Sequence, residues 1–355
     1  MVKNYFGEKN NQKKRNKMIL VTGATGLVGS HLLYELAKQN KQVKALYRNE
    51  SKIKQVKKVF NYYAANGNEL HKNIKWAKGD ILDLYSLNDA FKGVSEVYHC
   101  AAIVSFDGND KAQIIDANVQ GTENVVNLCL QYNVKKLCHV SSIASLGGAV
   151  NGELITEESG WSSTKNHSPY AISKFKSEMV VWRGIQEGLE AVIVNPSVIL
   201  GPGFWDSGSG ALFTRAAKGV NFYTTGATGF VDVKDVVDVM IGLMESDVTN
   251  ERFIVNSENV NYKELFDLVA ESMNVKKPKK QATRKMLKII STLEYLISIV
   301  GLKKRELTSD VIRASFSKST FSNKKTKEVL GKNFIPVSTS ISDTAEKFKQ
   351  ELTIR

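Results

Sequence analysis

The stretch MILVTGATGLVGS, residues 18–30, joins a short apolar run to a helical pattern through three glycines, Gly23, Gly26 and Gly29, spaced three and three. Met18–Thr22 has the length and composition of a buried strand, and Leu27–Gln39 has the periodicity of a helix. Glycine permits the tight turn, lets the backbone approach a pyrophosphate, and lets the helix pack closely on the sheet. The N–H groups that open the helix are left to bind the anion. A glycine triplet alone is weak evidence, but between a strand and a helix at the head of a βαβ series it marks a dinucleotide site. The candidate cofactor-binding turn is therefore Gly23, Thr25, Gly26, Leu27, Val28 and Gly29.

Downstream the alternation continues. Strands are expected over Val43–Tyr47, Ile74–Lys78, Glu96–Ala101, Lys136–Val140 and Ala191–Asn195. Helices are expected over 51–66, Leu84–Phe91, Ile114–Tyr132 and Pro169–Gln186. This order predicts an α/β fold, a Rossmann doubly wound parallel sheet. After Asn195 the alternation breaks: residues 201–210 hold four glycines and a proline, followed by short strands near Phe230 and Phe253 and several helices. The expected division is an NAD(P)-binding domain of residues 18–195 plus about 222–240, and a smaller C-terminal substrate-binding domain of about 196–221 plus 241–355.

At 355 residues, 42% apolar and with only five prolines, the chain has ample material for a core. Its net charge of +13 is local. Residues 3–17 carry six basic residues and one acid, and 275–305 carry ten and one, so the remainder is close to neutral. That distribution excludes a fold-wide nucleic-acid stripe. Residues 1–17 are expected to be a disordered basic tail, or to precede a true start at Met18. Cys100, Cys129 and Cys138 are odd in number and have no metal spacing, which predicts a reduced, cytoplasmic protein. Histidines, cysteines and acids form no metal motif: His99 and His139 fall inside strands, and His167 in a loop.

NAD sites place an acid about 20 residues past the glycines, at the end of the second strand. Here the stretch is Val43-Lys44-Ala45-Leu46-Tyr47-Arg48, with no acid before Glu50. Arg48 is placed to clamp a 2′-phosphate, which favours NADP over NAD; the bland alternative is a solvated loop arginine. Asp80, followed by Ile81, ends the third strand and is a candidate acceptor for the adenine amino group. Its other role would be a helix N-cap, for which Asp83 is better placed.

Three Tyr-x-x-x-Lys pairs occur: Tyr34 with Lys38, Tyr132 with Lys136, and Tyr170 with Lys174. Ligands of open α/β sheets bind beyond the C-terminal ends of the strands. The first two pairs lie at the opposite edge, whereas Tyr170 opens a helix that follows the fifth strand and a loop. Ser141 and Ser142 close that same strand. A ketone taking hydride needs a proton on its oxygen, and an alcohol giving hydride must lose one. A neighbouring ammonium is expected to bring the phenol closer to working range, while a serine hydroxyl holds the substrate oxygen. Lysine also has the reach to grip the nicotinamide ribose.

The glycine turn, Asp80, CAA (100–102), NVQGT (118–122), VSS (140–142), Tyr170-x-x-x-Lys174 and NPSVILGPG (195–203) occur in one order. This resembles the extended short-chain dehydrogenase/reductase superfamily, over about residues 18–345. The nearest similarity is to dihydroflavonol 4-reductase-like and 3β-hydroxysteroid dehydrogenase-like members. The resemblance implies Ser142, Tyr170 and Lys174 as the catalytic set, with Ser141 second choice and Asn118 a supporting polar group. It implies that Ala101 and Ala102 line the cofactor and that Pro196 and Val198 pack near the nicotinamide. It also implies a homodimer through the helices at 114–132 and 169–186. Two departures stand out: Asn195 occupies a position where many relatives have arginine, and residues 58–72 lengthen the second crossover.

The expected activity is NADP(H)-dependent interconversion of a carbonyl and a secondary alcohol on a small, partly apolar substrate. Phe106, Phe204 and Phe213 are the candidate substrate contacts. One alternative is a nucleotide-sugar epimerase or dehydratase with bound NAD, in which Arg215 and Lys218 would meet a diphosphate. Another is an NADP-binding sensor or scaffold without turnover. Residues 276–305 remain: Met286, Ile289, Ile290, Leu293, Ile297 and Val300 form an apolar stripe on a basic helix over 284–302. The preferred expectation is that the stripe packs on the substrate domain and roofs the pocket; the other is peripheral contact with an anionic membrane.

Overall fold

A computed structural model of the chain describes residues 17–103, 111–148, 153–161, 167–299 and 307–354. The expected tail over 1–17 lies outside the described residues except for Lys17. In the first half, strands and helices alternate. They run β1 (Met18–Thr22), α1 (Leu27–Lys38), β2 (Gln42–Tyr47), α2 (Ile53–Tyr63), α3 (Gly67–Lys72), β3 (Lys75–Lys78), α4 (Leu84–Phe91) and β4 (Val94–His99). Then come α5 (Lys111–Gln131), β5 (Lys136–Val140), α6 (Pro169–Gln186) and β6 (Ala191–Pro196). The lengthened second crossover is accounted for by α2 and α3 together.

The second half contains β7 (Val198–Leu200), α7 (Gly210–Ala217), β8 (Phe222–Tyr223), β9 (Ala227–Asp232), α8 (Val233–Glu245), β10 (Glu251–Val255) and β11 (Glu258–Asn261). These are followed by α9 (Tyr262–Met273), β12 (Lys280–Gln281), α10 (Arg284–Ile299), α11 (Ser309–Ala314), α12 (Lys324–Leu330) and α13 (Val337–Ile354).

The main sheet has seven strands in the order β10-β6-β5-β4-β1-β2-β3, all parallel. Its central strands β5 and β6 are buried on both faces, as is usual for parallel sheets, while the edge strand β3 is partly exposed. Residues alternate between the two faces along each strand. Val192 and Val194 join Ile19, Val21, Val43 and Tyr98 against α1, α2 and α8. Ala191 and Ile193 join Leu20, Val97 and Leu137 against α4, α5 and α6. A smaller sheet, β11-β9-β7, packs with α7, α9 and α13 around Phe213, Phe230 and Phe348.

Two expectations are corrected. The strand at Phe253 does not belong to the smaller domain: β10 pairs with β6, Phe253 opposite Val194, and extends the main sheet by one strand. The stripe of α10, of which Val300 lies outside the described residues, does not pack on the body. Ile289, Leu293 and Leu296 are 64%, 54% and 55% exposed, while Ser291 on the other side of the helix is buried. On its other side α10 makes polar contacts: Ser291 donates to the Leu307 carbonyl, and Glu294 accepts from the Leu307 N–H at 2.8 Å.

Candidate active site

The glycine turn shows what it is built for. Gly23 adopts φ +65°, and a Cβ there would lie 2.5 Å from the Ala101 nitrogen, so this turn and the segment after β4 meet backbone to backbone. A Cβ on Gly29 would lie 2.3 Å from the Gly23 carbonyl oxygen. At Gly26 the same atom meets only that oxygen, at 3.4 Å. Gly26 is the N-cap of α1 and supplies no side chain to it; its own N–H bonds back to the Gly23 carbonyl at 3.0 Å, and within the helix the first N–H to bond back is that of Ser30, to Gly26 at 2.9 Å. The N–H groups of Leu27, Val28 and Gly29 therefore form an uncapped anion-binding end, which fits a dinucleotide pyrophosphate.

Around this turn stand the ends of β2, β3 and β4. Arg48 and Asp80, expected to meet the 2′ position and the adenine, are paired with each other at 3.4 Å, and the guanidinium is 62% exposed. Asp80 also accepts from the Leu82 N–H, while Asp83 caps α4 as expected. The Ile81 carbonyl is held by Asn124 at 2.8 Å. Ala101 and Ala102 follow β4; the Ala101 N–H reaches the Thr22 hydroxyl at 3.4 Å. Pro196 ends β6 and Val198 opens β7, where the chain passes from the main sheet to the smaller one.

Helix α6 begins where it does because Ser168 caps it, accepting from the Ala171 N–H at 3.2 Å, and Pro169 occupies its first position. Tyr170 is thereby fixed in the first turn, at the C-terminal edge of the sheet. Ser142 lies two residues past the end of β5 and caps the 3-10 turn Ile143–Ser145, accepting from the Ala144 N–H at 3.1 Å. The Ser142 side chain interacts with the Tyr170 phenol and pulls its pKa down against burial. Ser141 points elsewhere: it is buried and donates to Glu178 at 2.8 Å. Of the two serines, Ser142 is the one that meets the tyrosine.

Lys174 is buried and donates to the Val140 carbonyl at 2.8 Å. Burial lowers its pKa to about 8, against the opposing influence of Cys100 and Glu178. Tyr170 departs from expectation. Burial pushes its phenol above the ordinary value, with Ser142 pulling the other way, and the ammonium does not bring it down. Asn118 is a clamp. It accepts from the Ile103 N–H at 2.7 Å and donates to the Ile103 carbonyl and to Ser173, both at 3.0 Å, fastening the segment after β4 to α6.

The other two tyrosine–lysine pairs are structural. Tyr34 is core, with the Lys38 ammonium over its ring at 5.9 Å, and Lys136 is spent on the carbonyls of Leu243 and Ser246. Phe213, expected at the substrate, is fully buried: its face of α7 turns inward to Trp205 and Phe348, so it is core. Phe204 is half-buried, and Phe106 lies outside the described residues. His99 and His139 are buried as expected. No group of histidines, cysteines and acids among the described residues is arranged to hold a metal.

Sequence reasoning missed the support behind β5. Glu178, fully buried, accepts from Ser141, Ser145 (2.7 Å) and Asn195 (3.0 Å) through one oxygen, and pairs with Arg252 at 3.0 Å through the other. Asn195 also donates to the Ser142 carbonyl at 3.2 Å. Asn195 from β6 and Arg252 from β10 thus hold the two oxygens of one buried carboxylate. The available signal was an acid one turn beyond Lys174 on a buried helix face.

Residues 19–256 match the model of the NAD dependent epimerase/dehydratase family. The chain belongs to this family. Sterol demethylase protein B of Methylococcus capsulatus is 30% identical to it over 281 residues, 78% of this chain and 80% of the relative. Cinnamoyl-CoA reductase 1 of Petunia hybrida is 25% identical over 350 residues, 94% and 93% of the two chains. The crystal structure of gox2253 superimposes with a TM-score of 0.77 at 28% identity, covering 95% of this chain and 99% of that one. Dihydroflavonol 4-reductases and a 3β-hydroxysteroid-dehydrogenase/decarboxylase also match, in keeping with the resemblance. As a member of the epimerase/dehydratase family, the protein is an NAD(P)-dependent enzyme of the extended short-chain dehydrogenase/reductase type.

Proposed function

We propose that this enzyme interconverts a carbonyl and a secondary alcohol on a small, partly apolar substrate, with NADP(H) as cofactor and in a cytoplasmic setting. The observation that carries the reading is the placement of the Tyr170 phenol with Ser142, one helical turn from the buried Lys174 and beyond the strand ends that also carry the glycine turn. When bound, the nicotinamide supplies or accepts the hydride. Residues 27–29 hold the pyrophosphate through backbone N–H groups, and Lys174 grips the ribose. Arg48 takes the 2′-phosphate, releasing its pairing with Asp80, and the absence of an acid at the end of β2 supports NADP. Ser142 orients the substrate oxygen. Tyr170 gives that oxygen its proton in reduction and removes it in oxidation, so its raised pKa keeps it protonated and ready as an acid at neutral pH.

A nucleotide-sugar epimerase is the second reading. It is supported by Arg215 and Lys218, which border a shallow hollow of about 390 Å³ with Val220, Asn221 and Phe222. One assay separates the two: oxidation of NADPH and NADH with ketones, aldehydes and nucleotide-sugars as substrates. Tyr170→Phe should lower kcat on the carbonyl substrate by about 10²–10⁴-fold while leaving NADPH affinity within about threefold. Unchanged turnover in Tyr170→Phe would remove the tyrosine from the mechanism. Redox-neutral conversion of a nucleotide-sugar without NADPH consumption would replace the reductase reading with the epimerase one.

A further inference from the structure

Helix α10 is mounted with its polar side inward. At about 100° per residue, Met286, Ile289, Ile290, Leu293, Leu296 and Ile297 occupy one continuous sector about 120° wide. Five of the six are plainly in water: Ile290 and Ile297 at 38% and 41%, and Ile289, Leu293 and Leu296 above half. The opposite sector holds Leu287, Ser291 and Glu294, and it makes the two bonds to Leu307. Arg284 fixes the start of the helix by stacking its guanidinium on Phe316 of the α11 end, at 5.2 Å. The apolar row is therefore held outward by specific contacts. A contiguous patch of this kind marks an interaction surface.

The charge around it selects the partner. Residues 275–305 carry ten basic residues and a single acid, Glu294, whose carboxylate is turned inward. Lys285 sits one turn before Ile289 at the edge of the apolar sector, and Lys288 lies about 60° further round from it. Their stems can lie along the apolar sector with the ammonium groups raised above it. A second copy of this chain would bring the same cations against these and is disfavoured. The helix has 16 residues, and no helix among the described residues is long and apolar enough to cross a membrane. At this length it lies in the interface plane.

We propose that α10 seats the enzyme on an anionic lipid surface, with Ile289, Leu293, Leu296 and Ile297 in the acyl boundary and the flanking lysines against lipid phosphates. The test is co-sedimentation of the full chain with phosphatidylcholine vesicles containing about one third phosphatidylglycerol, and with phosphatidylcholine alone. Wild type should pellet with the first and at least tenfold less with the second, and should be released by salt. The triple variant Ile289→Ser/Leu293→Ser/Leu296→Ser, altered only at exposed positions, should melt with wild type and lose at least tenfold in partition. Should that variant misfold, Lys285→Gln/Lys288→Gln carries the same expectation at a smaller fold-change. Equal partition of wild type and variants, or no preference for the anionic vesicles, would overturn the proposal. A dimer in solution that the triple variant abolishes, with no vesicle binding by wild type, would assign the face to a second copy instead.

Discussion

Lys174 works close to its own titration point. Burial has brought its pKa from 10.5 to about 8, so the ammonium is nearly complete at pH 7 and mostly gone at pH 9. With the ribose grip assigned to that charge, the pH dependence of cofactor affinity reports the free enzyme's lysine. The NADPH dissociation constant should be flat below pH 7, double near pH 8, and rise about tenfold by pH 9 at constant ionic strength. Lys174→Met should bind weakly at every pH in that range. A wild-type constant that stays flat from pH 7 to pH 9 would detach cofactor binding from this charge. Tyr170 takes no part in this transition, because burial holds its pKa above the ordinary tyrosine value.

At the scale of elements, the strand–turn–helix unit of β1 and α1 divides its glycines by task. Gly29 is needed by the protein: a Cβ there meets the Gly23 carbonyl oxygen at 2.3 Å and Ala24 Cα at 2.8 Å, both backbone. Gly26 is open on the protein side, so a methyl group there intrudes only on the anion's approach. Gly29→Ala should therefore cost about 1–3 kcal/mol of stability, seen in urea unfolding. Gly26→Ala should unfold within about 0.5 kcal/mol of wild type yet bind NADPH at least tenfold more weakly. Wild-type affinity in Gly26→Ala would mean that the phosphates do not approach this turn. The turn was legible because its chemistry is local, and β1 to β6 were legible because each is a short apolar run between turn signals. Strand β10 was not: nothing within Glu251–Val255 states that it pairs with a strand some 60 residues earlier. Helical periodicity revealed the apolar face of α10 but not its direction, and the aromatic residues after β7 did not show which of them turn inward. Phe213 turned inward to Phe348, and Leu293 turned to water. Glu178 escaped notice because a buried acid is recognised by its donors, and those come from β5, β6 and β10.

For the whole molecule, the seven-stranded sheet and the helix packed on it store three neutral histidines, and this sets its response to acid. His31, on α1, is buried, with Nδ1 2.8 Å from the Leu27 carbonyl oxygen and Nε2 3.0 Å from the Tyr63 hydroxyl; burial lowers its pKa to about 4. His99 ends β4 between the hydroxyls of Thr22 (2.7 Å) and Thr122 (3.1 Å), and burial, with Lys174 nearby, lowers its pKa to about 3. His139 lies opposite it on β5, ring centroids 5.2 Å apart, and is held well below 6.5 by burial, His99 and Lys174. Each histidine binds a proton more readily when unfolded. Its stabilising contribution is therefore complete above pH 6.5 and is lost as pH falls through 6.5 toward the folded value. The loss is about 1.4 kcal/mol per histidine per pH unit, so near pH 5.5 the three together remove about 4 kcal/mol. That is a large share of the 5–15 kcal/mol typical of a folded domain. The urea midpoint should fall only slightly from pH 8 to 7, where Lys174 regains its proton in the folded state, and then steeply toward pH 5.5, with about three protons taken up on unfolding at the lower end. His139→Leu should flatten that fall by about one third, because neither ring nitrogen of His139 has a hydrogen-bond partner to lose. A midpoint unchanged between pH 7 and 5.5 would mean that these histidines already carry protons in the folded protein, and the buried sheet would then have to contain their counter-charges.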